Sequence, residues 1–147
     1  MSRPLAVVLV AVAGLLVGAQ PPVNARLGRT IGSLPAAAFS FMAGTIVLLL
    51  IASLTSEGLG SFANVGKAPW WALIGGLLGA VYVTTAILTV RTLGVSGLTA
   101  IVITGQLTAA VLIDRFGLLG IAKQPIGLTR ILGLVLLVAG AVLVVRR

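Results

Sequence analysis

The residues able to do chemistry in this chain are few, and their absences narrow the field first. The sequence holds no cysteine and no histidine, and its acids are Glu57 and Asp114 alone. Thiolate metal sites, disulfides, imidazole bases and paired carboxylates are therefore out of reach, and the expectation is no enzyme, no metal and no cofactor. What remains is neutral hydrogen bonding. Gln20 and Asn24 flank Pro21 and Pro22 inside an apolar run. They are spaced i, i+4 and share a helix face if the helix persists past the prolines. Pro22 lacks an N–H and frees the carbonyl of Gly18 one turn earlier. A freed carbonyl and two carboxamides make a neutral lining for a solute pathway. The bland reading is a capped helix end.

Further along, Tyr82 and Gln106 each lie well inside an apolar run, with Thr104 close to Gln106. Threonine often bonds its own helix backbone. A phenol and a carboxamide are satisfied less easily that way, so a pathway role competes with an interhelical lock worth about 1 kcal/mol. Arg26 is the charge nearest the first break; it snorkels to headgroups or lines a vestibule for anionic or zwitterionic solutes. Asp114, beside Arg115, offers an interfacial ion pair or a coupling group.

The elements that must hold these residues are membrane helices. Hydrophobic residues make up 59% and charged residues 8% of 147 positions, with a mean hydropathy of +1.24. A soluble domain carries roughly a quarter charged residues, so lipid must be the solvent for most of this surface. The formal charge of +8 does not point to nucleic acid, because the basic residues are scattered singly between apolar segments. Arg3, the following apolar run and the small residues at 17–19 resemble a signal peptide. The segment is read as a retained span, since four more follow.

Five spans are expected, at residues 5–25, 34–54, 69–90, 95–113 and 128–145, each near the length of about 20 residues that crosses a bilayer. The segments are uniformly apolar, which excludes a barrel, and the whole chain reads as one all-α transmembrane domain, 1–147. Trp70 and Trp71 behind Pro69 suit the headgroup boundary. Gly75 and Gly79, four apart inside a span, read as helix packing. Gly133 and Gly140, one heptad apart, fall on one face of the last span and let another helix approach, in the same chain or in a second copy.

Charge counting adds an organisation. With five spans, Arg3, Lys67, Arg115, Lys123 and Arg130 fall on one side, and Arg26, Arg29, Arg91, Arg146 and Arg147 on the other. Five against five accounts for all ten basic residues. Orientation follows lysine and arginine bias, and here there is none. Either other signals orient the chain, or it inserts both ways and two copies pair antiparallel. The second arrangement is a ten-helix inverted repeat made from separate chains.

Four groups of residues carry a family resemblance: 20–28 after the first span, 41–45 in the second, 69–72 with 75–80 and 82–83 in the third, and 104–107 with 113–117 around the end of the fourth. Together they resemble the YdcZ-type inner-membrane exporters of the drug/metabolite transporter superfamily, over nearly the whole chain. The resemblance implies a bacterial inner-membrane protein equivalent to half of a ten-helix transporter. In that family, members occur as single chains, as oppositely oriented pairs and as fusions, and the balanced charges match the single, dual-topology type. The glycine pair at 133 and 140 is similar to the pairing helix of small multidrug resistance transporters. Their proton exchange needs a carboxylate in the first helix, and this chain has none there. The expectation is an antiparallel homodimer in the bilayer that carries a small-molecule substrate by alternating access. Its cavity would be lined by the first, third and fourth helices, and the fifth helices would hold the dimer. The alternatives are a small dual-topology channel and a non-transporting assembly subunit.

Overall fold

The computed structural model describes residues 1–55 and 58–146. Glu57, one of the two acids, and Arg147, one of the counted arginines, lie outside the described residues. The chain is 89% helical, with no strand among the described residues. Four α-helices follow in order: α1 Arg3–Ile31, α2 Ser33–Leu54, α3 Gly75–Phe116 and α4 Leu128–Val145. Short 3-10 helices occupy Leu59–Lys67, Trp70–Ile74 and Leu118–Gly120.

The length and apolarity of four stretches suit membrane crossing: Arg3–Ile31, Ser33–Leu54, Trp70–Phe116 and Leu128–Val145. The third has 47 residues. At 1.5 Å per residue it extends about 70 Å, enough for two crossings of a core about 30 Å thick. It is interrupted where two crossings require, at Gly94, with φ 70° and ψ 167°. That backbone region is essentially restricted to glycine. Residues 91–93, expected in a connection, stay helical, so the break is one residue long.

α1 departs more from expectation. It runs through Pro21 and Pro22, as a span of 5–25 requires, but ends at Ile31 rather than near residue 25. Two consecutive prolines remove the bonds to the carbonyls of Val17 and Gly18, yet the helix holds. In lipid, losing two bonds costs less than opening a turn and exposing several more polar groups. The helix is about 44 Å long, longer than the hydrocarbon core, so an end of it reaches the headgroup layer. α1 and α2 meet at Gly32 alone, with φ 90° and ψ 156°. The Gly32 N–H donates to the Gly28 carbonyl at 3.0 Å, and the Gly32 carbonyl accepts from the Ala36 N–H at 3.0 Å. Pro35 falls in the first turn of α2, where an N–H has no partner in any case. Pro69 precedes a 3-10 turn containing Trp70 and Trp71, both exposed, and α3 begins only at Gly75.

The chain divides into two units, Met1–Thr89 and Val90–Arg147. In the first, Ala36 and Ala37 of α2 pack with Val83 and Ile87 of α3, and Leu27 and Tyr82 cover them. Small residues on α2 let the helices approach closely. In the second, Leu98, Val111 and Ala141 are buried. The loop back from α3 is folded tightly. Gly117 takes a left-handed conformation, and a methyl group there would stand 2.6 Å from Lys123 Cγ. The Gln124 N–H donates to the Asp114 carbonyl at 2.8 Å. Most large apolar side chains on all four helices are exposed within the chain, as expected where lipid or further helices cover them.

Candidate functional site

A groove of about 380 Å³ opens between α1, α2 and the start of α3, wholly inside the first unit. Val17 and Gln20 lie one helical turn apart and face it together. From α2 come Ser40, Phe41, Gly44, Thr45 and Leu48, and from α3 come Gly79, Tyr82 and Val83. The Phe41 ring lies over Gly79, where an added methyl would come within 3.1 Å of its Cζ. Gly79 is thus a seat for an aromatic side chain, whereas Gly75 has nothing within 4 Å of an added Cβ. The two glycines expected to act as one packing motif have separate surroundings.

Of the residues singled out in the sequence, Gln20 and Tyr82 are brought into this groove. Asn24 is one turn further along the same face of α1 and is buried, with 6% of its surface exposed. Pro21 is buried beside it, and Pro22 is exposed. Arg26 is exposed and is not among the groove's lining residues. No residue lining the groove is charged.

Thr104 and Gln106 belong to the second unit. Thr104 borders an apolar groove of about 320 Å³ with Ile101 of α3 and Val138, Ala141 and Val142 of α4. Its hydroxyl donates to the Ala100 carbonyl at 2.8 Å, the backbone bonding that makes threonine a weak signal. Gln106 is exposed and is not part of that groove. Asp114 pairs with Arg130, at 2.9 Å between Oδ2 and Nη2, rather than with its chain neighbour Arg115. Gly133 and Gly140 have nothing within 4 Å of an added Cβ among the described residues, so these two positions of α4 are open.

The contribution of α2 was missed in the sequence. Neither Ser40 nor Thr45 was singled out as a candidate. The available signal was their spacing. Ser40, Gly44 and Leu48 recur every four residues, and Phe41 and Thr45 run beside them, so one face of α2 carries its polar and small residues.

A model of the family described as "Putative inner membrane exporter, YdcZ" matches residues 5–143. No curated protein and no solved structure matches the chain.

Proposed function

This chain belongs to the YdcZ family of inner membrane exporters, and from that premise we propose that it is a secondary transporter of small solutes. It is a multi-pass protein of the inner membrane. In the proposed assembly, two copies insert in opposite orientations and pair antiparallel, giving ten helices related by a two-fold axis in the membrane plane. Alternating access then exchanges two equivalent states, since the inverted partner repeats every element on the other face.

The observation that carries this reading is the even division of basic residues, five on each side of a five-span chain. The open positions at Gly133 and Gly140 support pairing through α4, because close approach of helices in lipid favours small residues. In this reading Gln20, Asn24, Tyr82, Thr104 and Gln106 line the solute pathway, with Arg26 near its mouth. The paired prolines Pro21 and Pro22 loosen α1 where a gate must move. Asp114, the acid at the end of α3, is the group available for ion coupling.

A pair of C-terminal reporters, one active only inside and one only outside the cell, tests the topology. Both should give signal, and one added lysine on either side should shift their ratio. Signal from one reporter alone overturns dual topology. Saturable flux into vesicles reconstituted with the purified protein tests transport. Resolvable single-molecule currents would instead assign it as a channel.

A further inference from the structure

In a lipid-embedded helix a hydroxyl is normally quieted by its own backbone. Thr89 donates to the Thr85 carbonyl at 2.7 Å, and Thr108 to the Thr104 carbonyl at 2.8 Å. The groove of the first unit is different. Gln20, Ser40, Thr45 and Tyr82 line it, and none of their side chains has a hydrogen-bond partner among the described residues. The same holds for Asn24, at 6% exposure, one turn along α1 from Gln20. Beside them, Pro21 and Pro22 have no N–H to offer the carbonyls of Val17 and Gly18. Val17 is itself a groove residue.

Polar groups left without partners in a membrane-embedded site cost free energy until something bonds to them. Carboxamides and hydroxyls both donate and accept, so the groove asks for an occupant that does both. Phe41, Leu48 and Val83 ask for an apolar side on the same occupant. A lipid chain would cover the apolar part and leave the polar groups without partners. A net ion would enter a place with no counter-charge, which is costly in a low-dielectric setting. The volume of about 380 Å³ lies within the range of small-molecule sites, roughly 300 to 1,000 Å³.

We infer that this groove binds an uncharged small solute bearing hydrogen-bond donors and acceptors beside an apolar ring or chain, and that it discriminates against net cations and anions. The role of that solute as transported substrate rests on the proposed function; the binding does not.

The test uses purified full-length protein in lipid nanodiscs and three probes sharing one ring: phenyl β-glucoside, phenyl phosphate and benzyltrimethylammonium. A ligand that prefers the folded state raises the unfolding temperature with concentration. The glucoside should do so, and the two ions should not. Gln20→Ala and Tyr82→Phe should each weaken the apparent affinity about five- to tenfold, the loss of one hydrogen bond. Thr89→Ala, on the same helix but with its hydroxyl already bonded, should bind like the parent. Thr45→Val, close in shape to threonine, reads the groove if Gln20→Ala fails to fold. Stabilisation by either ion equal to that by the glucoside overturns the inference. So does the absence of stabilisation by the glucoside at millimolar concentration, or parental affinity in the groove variants. Glucoside binding without saturable flux removes the transporter and keeps the site. Saturable flux of either ion, unaffected by the groove variants, keeps the transporter and removes the solute class.

Discussion

The Asp114 carboxylate and the Arg130 guanidinium lie 2.9 Å apart, tying the last turn of α3 to the first turn of α4. The Gln124 N–H on the Asp114 carbonyl fixes the loop between them from the same residue. Both side chains are partly exposed, 24% for Asp114 and 41% for Arg130, so the pair stabilises by about 0.5–1 kcal/mol. Asp114→Asn and Arg130→Gln should each lower stability by about that amount, and the double variant by little more than either single one. Additive losses in thermal unfolding would mean the two groups do not interact. Loss of flux in Asp114→Asn at unchanged stability would give the carboxylate a coupling role.

Gly28 of α1 faces Ile87 of α3. A methyl group there would stand 3.2 Å from Ile87 Cγ2 and 3.8 Å from Ala36 Cβ, and all three residues belong to or border the packed centre of the first unit. Gly28→Ala should destabilise by about 1 kcal/mol, because the buried Ile87 must give way, a cost that outweighs the helix propensity of alanine. Gly14→Ala, on the same helix with nothing within 4 Å, should be neutral or slightly stabilising, because alanine favours helix over glycine. Equal melting temperatures for the two variants would remove the close approach as a constraint.

In the proposed dimer, Gly133 and Gly140 would serve assembly and not folding. Neither has a described neighbour within 4 Å of an added Cβ, so each side chain of the double replacement Gly133→Leu, Gly140→Leu has room to start outward. It should leave helix content and expression intact while abolishing cross-linked dimer in membranes. Undiminished cross-linking would place the dimer contact on another face.

The apolar runs that became α2 and α4 were readable because continuous hydrophobicity over about 20 residues has few meanings in a short chain. The sequence left open whether α1 holds beyond the prolines, with a span expected to residue 25, and the helix runs on to Ile31. Propensity rules developed in water place a helix end at such a pair, but exposing backbone to lipid is the larger penalty. The pairing of Asp114 with Arg130 was hidden because it depends on the loop's path. That path uses left-handed backbone at Gly117, which a sequence can suggest, and at Leu119, with φ 55°, which it does not. Gln20 and Tyr82, which line the groove, were conspicuous in the sequence because a carboxamide and a phenol stand out in an apolar run. Ser40 and Thr45 were not, since hydroxyls in spans usually bond their own helix.

Gly32 has a consequence for biosynthesis. With one residue between them, α1 and α2 leave no slack in which one helix could cross the bilayer and wait for the other. They must enter together as a wedge; in the proposed dual insertion its turn leads in one orientation, with Arg26 and Arg29 close behind the tip, and stays on the side of synthesis in the other. Moving a positive charge against a membrane potential costs about 2.3 kcal/mol per 100 mV. The energised state of the membrane therefore weighs on which way the wedge goes in while most of the later basic residues are still unmade. The ratio of the two reporter signals, with and without a protonophore, reads that weight directly.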